Sequence, residues 1–88
     1  MTAIQTLIDQ TQSYMIEAAN NNQRSLAKSY LMDTSEFQNV QYLLSAGYIQ
    51  AAGDALDEMD TSPREQMVMA ILADYDHDML ENLGFQLL

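Results

Sequence analysis

The chain is short of several residue types whose absence limits what it can be. Its 88 residues include no cysteine, no tryptophan, one proline and three glycines. Without cysteine the chain can form neither a disulfide scaffold nor a thiolate zinc site. β-Branched residues are few and no segment alternates apolar and polar residues for long, so strand signals are absent as well. The sequence therefore predicts an all-α protein with a single helical domain over residues 1–88.

Basic residues are the next shortage. Three Lys and Arg stand against thirteen Asp and Glu, a net charge of −10. Residues 1–48 hold four acids and two basic residues, whereas residues 49–88 hold nine acids and only Arg64. Nucleic acids and anionic membranes are bound through clustered Lys and Arg, so neither is an expected direct ligand. A basic protein partner suits this charge, and plain solubility is the alternative explanation.

Long hydrophobic runs are missing too. No stretch approaches the roughly 18 apolar residues of a membrane span. Residues 1–19 contain no Lys or Arg and no unbroken apolar run, so a signal peptide is not expected. The sequence predicts a cytoplasmic protein that does not bind membranes.

Helix starts are indicated by three capping patterns, TAIQ at 2–5, DTSE at 33–36 and SPRE at 62–65. In the last of these, Ser62 is the predicted N-cap, and the run of three asparagines at 20–22 is a predicted turn. Together with the helical spacing of apolar residues, these signals predict a small antiparallel bundle of three to four helices, over about 2–20, 24–32, 34–59 and 63–83.

The middle of the chain allows two interpretations. Apolar residues from Phe37 to Met59 recur every three or four positions without losing phase, which favours one helix. Gly47 lies inside this run and would cost about 1 kcal/mol against alanine. The alternative is a helical hairpin that turns at SAGY. One helix is the preferred prediction. Gly47, Ala51 and Ala55 would then form a flat strip, for which simple core packing is favoured over the close approach of another helix.

The segment DYDHDMLEN, residues 74–82, concentrates the groups that could carry chemistry. Asp74, Asp76 and Asp78 match the start of a calcium-binding loop. However, its sixth and twelfth positions, which need Gly and Glu, are Met79 and Phe85. A calcium loop is therefore not predicted.

The single histidine, His77, limits metal and catalytic chemistry. A site of Asp74, His77 and Glu81 would need further ligands from a second copy or from solution. The chain has no Cys–His pair, no second histidine and no Gly-rich phosphate loop, so no enzymatic activity and no cofactor is predicted.

Two surfaces follow from a helical projection of the C-terminal half. Asp74, Asp78 and Glu81 fall on a predicted solvated rim, whereas Asp76 falls on an apolar edge. The predicted partner-binding surface comprises Asp54, Asp57, Glu58, Asp74, Asp78 and Glu81. The predicted self-association surface comprises Met69, Asp76, Leu80, Leu83 and Phe85.

These patterns lead to one main functional hypothesis and two alternatives. The main hypothesis is a small, acidic, non-catalytic protein–protein interaction module that self-associates. The first alternative is an inhibitor that mimics nucleic-acid phosphates and binds a basic DNA- or RNA-binding protein. The second is a weak binder of divalent metal ions.

Overall fold

Helices make up the fold in the part of the chain that the computed structural model describes, residues 2–84. That range contains no strand, so the all-α prediction is confirmed. Within residues 2–84, five helices replace the three or four that were predicted, because some of the predicted boundaries were wrong. They are α1 (Ala3–Asn20), α2 (Arg24–Ser45), α3 (Ile49–Asp57), α4 (Thr61–Asp74) and α5 (His77–Asn82).

The first helix begins and ends where the sequence predicts. The Thr2 hydroxyl accepts a hydrogen bond of 3.0 Å from the backbone N–H of Gln5, which satisfies one of the unpaired donors in the first turn. After Asn20 the chain turns, and Asn22 adopts a left-handed φ of 60°. Asparagine is one of the few residues that accepts this conformation readily, so the predicted turn at 20–22 is confirmed.

The predicted helix boundary near Asp33 was wrong, because α2 runs through it without interruption. The DTSE segment can cap a helix, but nothing in it prevents a helix from continuing. The Thr34 hydroxyl donates to the Tyr30 carbonyl at 2.8 Å, a bond made inside a regular helix. Thr34 and Phe37 are both buried, so they extend the buried face of α2 across the predicted break.

The preferred prediction of one helix through Gly47 was also wrong, and the alternative hairpin turn is the observed structure. Gly47 has a φ of +83°, and its N–H donates to the Leu44 carbonyl at 3.2 Å. The Tyr48 N–H donates to the Leu43 carbonyl at 2.8 Å. These two bonds form a Schellman motif, which ends α2 and reverses the chain into α3. The predicted strip fails with it, since Ala51 lies on the exposed side of α3.

The start of α4 lies slightly earlier than predicted. Asp60 is the N-cap and Thr61 the first helical residue, whereas Ser62 was predicted to cap. Pro63 then occupies the third helical position. The N–H groups of the first three helical residues have no partner inside the helix, so the missing proline N–H costs nothing there.

The predicted helix over 63–83 is divided in two by an extended stretch at Tyr75 and Asp76. The Asp76 carboxylate accepts a bond of 3.3 Å from the Met79 N–H and caps the short helix α5. Asp76 is therefore an exposed capping residue, and its predicted place on an apolar edge was wrong. The break redirects α5 so that Leu80 enters the core.

The core is built where α1 packs against α2 and α4, and where α3 packs against α2. The start of α1 meets the end of α4, so these two helices are antiparallel. No helix within residues 2–84 is both long enough and apolar enough to cross a membrane. The core cluster comprises Ile4, Ile8, Phe37, Val40, Leu44, Ala52, Leu56, Met59, Met67, Ala70, Ile71, Leu80 and Leu83.

Candidate functional site

One of the six carboxylates predicted to bind a partner has an internal partner instead. Asp74 is half-buried, and its two carboxylate oxygens accept hydrogen bonds from the N–H groups of Ala3 and Ile4, at 2.7 and 2.9 Å. These donors lie in the first turn of α1, where an anion is favoured by the helix dipole as well. Asp74 therefore belongs to the fold, and its predicted place on a solvated rim was wrong.

The other five carboxylates are exposed, three on or next to α3 and two on α5. The two helices meet where Gly53 faces the Leu83 backbone: a Cβ at Gly53 would lie 2.6 Å from the Leu83 carbonyl oxygen. Asp54 is adjacent to Gly53 in sequence, and Glu81 precedes Leu83 by two residues. The two acid-bearing helices are therefore in contact at this point. The acidic surface comprises Asp54, Asp57, Glu58, Asp78 and Glu81.

The residues predicted for self-association are separated by the structure. Leu80 and Leu83 are buried in the core of the single chain, so they are unavailable to a second copy without unfolding. Asp76 is the exposed cap of α5, and Met69 is 66% exposed on α4. Phe85 lies outside the described residues.

Met69 instead lines an open groove that no pattern in the sequence predicted. The groove has a volume of about 740 Å³ and runs between the antiparallel helices α1 and α4, with α2 beside them. Tyr14 and Tyr30 both line it, and their rings pack against each other with centroids 5.7 Å apart and a tilt of 41°. Its lining comprises Leu7, Gln10, Thr11, Tyr14, Tyr30, Asp33, Ser62, Glu65, Gln66 and Met69.

Acidic residues gather around one end of this groove. Burial raises the pKa of Asp33 above its ordinary value, and the nearby Asp60 carboxylate raises it further. Burial also raises the pKa of Glu36, with smaller contributions from Asp33 and Asp60. The Oε2 atom of Glu36 is buried and accepts no hydrogen bond from the described residues. These carboxylates therefore repel one another in a partly desolvated place.

The histidine segment does not assemble a metal site in the described part of the chain. There, no group of three His, Cys, Asp or Glu side chains is placed to hold a metal ion. His77 is exposed in the first turn of α5, and the oxygens of Asp74 are directed at α1.

Comparisons of the chain with known proteins returned nothing similar. No family model, no curated protein and no solved structure matches it.

Proposed function

We propose that this protein is a non-catalytic interaction module that binds a basic protein partner. The observation that carries the proposal is the acidic surface, whose five carboxylates are all exposed on or next to α3 and α5, two helices that touch at Gly53 and Leu83. The net charge over residues 49–88 is −8. A surface that carries charges of one sign attracts a surface of the opposite sign, and this attraction raises the rate of association.

The proposal predicts binding that depends strongly on salt. The carboxylates are exposed, so their attraction to a partner acts through water and falls within about 10 Å at 0.1 M salt. Charges at the rim of an interface mainly set the association rate and the choice of partner. The partner should therefore be a protein that presents clustered Lys or Arg.

The test begins with chemical cross-linking of the tagged protein in a lysate of its native host, followed by mass spectrometry. The identified partner is then purified and its affinity measured by calorimetry at several salt concentrations. The double variant Asp54→Asn/Glu58→Gln should bind roughly tenfold more weakly, since each exposed ion pair contributes up to about 1 kcal/mol.

A matched control removes two exposed carboxylates elsewhere. Asp9→Asn/Glu17→Gln on α1 changes the net charge by the same amount. If both double variants lose affinity equally, net charge alone drives the binding and the acidic surface has no special role. A partner without basic clusters would contradict the proposal outright.

The same carboxylates support a second candidate function, inhibition of a DNA- or RNA-binding protein by mimicry of phosphates. Exposed acids on adjoining helices present negative charge to the Lys and Arg side chains that otherwise contact a nucleic-acid backbone. This candidate predicts that the protein displaces a labelled duplex from its partner in a fluorescence anisotropy assay. A partner that binds the duplex and this protein together would exclude it.

Self-association and a cytoplasmic location also stay as proposals. Self-association has support from Met69, which is 66% exposed on α4, and the net charge of −10 on each copy opposes it. Light scattering over a range of concentrations tests it, and a monomer throughout would remove it.

A further inference from the structure

We infer that the groove between α1, α2 and α4 binds a segment of a partner protein that carries an apolar side chain next to a lysine or arginine. The inference rests on the proposed function as an interaction module and assigns it a second, chemically distinct contact. The acidic surface offers charge alone, whereas the groove combines an apolar part with carboxylates.

The apolar part of the groove is suited to a side chain from outside the molecule. Tyr14 is 51% exposed and Met69 is 66% exposed, and the half-buried Leu7 also lines the groove. Aromatic residues and methionine are enriched at the buried centres of interfaces, where they supply contact area at low cost in entropy. Methionine also adapts its shape to what it contacts. A partner segment with an aliphatic or aromatic side chain, laid along the groove, would remove apolar surface of these residues from water.

The charged part of the groove is suited to a cation. Asp33 and Glu65 line it, and Asp60 and Glu36 stand close behind Asp33. No Lys, Arg or His is found among the described residues that line the groove. A guanidinium group beside Asp33 would offset the repulsion among these carboxylates and could stack on the Tyr14 or Tyr30 ring.

A protein segment fits this groove better than a small molecule does. Small-ligand pockets enclose most of their ligand's surface. Here Tyr14 and Met69 remain largely exposed on opposite helices, so the groove forms an open channel along α1 and α4. Channels of this shape accept an amphipathic helix or an extended peptide.

A second copy of the chain fits the groove less well than a basic partner does. Each copy carries a net charge of −10 and only three basic residues, so two copies repel each other as they approach. The occupant should have the opposite charge, in agreement with the basic partner of the proposed function.

The test is a selection of binders from a random peptide library displayed on phage, with the complete protein as bait. Enriched peptides should carry Lys or Arg adjacent to Leu, Ile, Phe, Tyr or Trp. A synthetic peptide of the enriched sequence, titrated into ¹⁵N-labelled protein, should shift the backbone amide signals of residues that line the groove.

Two pairs of variants separate the groove from general effects. Glu65→Lys should weaken the peptide's affinity about tenfold. Glu17→Lys makes the same change in net charge at an exposed position of α1 and should have little effect. Met69→Ser should weaken it by a similar factor, whereas Met32→Ser, also at an exposed methionine, should not. All four positions are exposed, and circular dichroism confirms that each variant is folded.

The outcomes distinguish this inference from the proposed function. One outcome is a set of peptides that bind the acidic surface with an affinity that Glu65→Lys and Met69→Ser leave unchanged. That result would overturn the inference that the groove binds the partner, and it would leave the proposed function standing. The inference about the groove would also be overturned by any of three results. These are enriched peptides without basic residues, a library that yields no binder, and a dimer that the Met69→Ser substitution dissociates. If the affinity for the cross-linked partner does not depend on salt concentration, the proposed function is overturned instead.

Discussion

Asp74, the last residue of α4, accepts a hydrogen bond of 2.7 Å from the backbone N–H of Ala3, the first residue of α1. Its second oxygen accepts from the Ile4 N–H at 2.9 Å. Thr2 already caps the Gln5 N–H, so the two groups together satisfy three donors of the first turn. A single carboxylate thus joins segments 71 residues apart in the chain.

Replacement of Asp74 by alanine should destabilise the protein more than any exposed acid would. The change leaves two half-buried N–H groups without their acceptor and removes a favourable charge at a helix N-terminus. We expect a loss of about 1–3 kcal/mol in the free energy of unfolding, measured by urea denaturation. Asp74→Asn should lose less, because its amide oxygen still accepts one bond.

The control for this prediction is Asp54→Ala, which removes the same charge from an exposed position on α3. Its effect should stay within about 0.5 kcal/mol. Equal losses in Asp74→Ala and Asp54→Ala would show that the contact to α1 contributes nothing to stability.

Gly53 is a second position where the fold depends on one residue. Alanine normally stabilises a helix interior by about 1 kcal/mol relative to glycine. At Gly53 the added Cβ would lie 2.6 Å from the Leu83 carbonyl oxygen, a backbone atom that cannot rotate away. We therefore expect Gly53→Ala to lower the free energy of unfolding by about 1–3 kcal/mol. A stabilised Gly53→Ala variant in thermal unfolding would mean that α3 and α5 are not in close contact.

The helical class and the first helix could be predicted from the sequence because they depend on local signals. Thr2 at the start of α1 and the asparagine turn after it act within a few residues of themselves. The errors occurred where a local pattern is compatible with two structures. Asp33 can cap a helix or lie inside one, and the burial of Phe37 against other helices decides for the second.

At two other positions the apolar pattern predicts a continuous helix, but the structure breaks it. Apolar spacing continues in phase through Gly47, but the left-handed glycine ends α2 with two backbone hydrogen bonds. At Asp76 no glycine or proline marks the break. There the cap of α5, the contact of Asp74 with α1 and the burial of Leu80 act together. Only the cap could be suspected from local sequence, because the other two depend on residues far away in the chain.

The groove lay beyond reach of the sequence for a similar reason. Tyr14 and Tyr30 belong to different helices, and Glu65 and Met69 to a third, so no spacing along the chain connects them. The acidic surface was easier to foresee, since Asp54, Asp57 and Glu58 are close in sequence and all exposed.

The order of the alanine and asparagine variants should differ between Gly47 and Gly53. A Cβ at Gly47 would meet no atom within 4 Å, so its cost comes only from the left-handed φ of +83°. Gly47→Ala should lose about 1–2 kcal/mol, and Gly47→Asn should lose less because asparagine tolerates this conformation. At Gly53, where space is limiting, the order should reverse, with asparagine worse than alanine. Urea denaturation of the four variants checks this crossover, and the same order at both glycines would contradict it.

Stability should rise as the pH falls through the raised pKa values of Asp33 and Glu36, because these acids hold protons more tightly in the folded protein. Burial, followed by nearby carboxylates, raises the pKa of Asp33 above 3.8 and that of Glu36 above 4.5. Between these ordinary values and the raised ones, the folded state binds more protons than the unfolded state. The free energy of unfolding therefore decreases as the pH rises through that window.

The double variant Asp33→Asn/Glu36→Gln removes both titrating groups and their mutual repulsion. It should be more stable than the natural chain at neutral pH, and its melting temperature should change less on acidification. Asp54→Asn/Glu58→Gln, which removes two exposed carboxylates of the same types, corrects for the general decrease in net charge. Thermal unfolding followed by circular dichroism at a series of pH values gives both slopes. Parallel slopes in the two double variants would mean that Asp33 and Glu36 titrate in the folded protein as ordinary surface acids do.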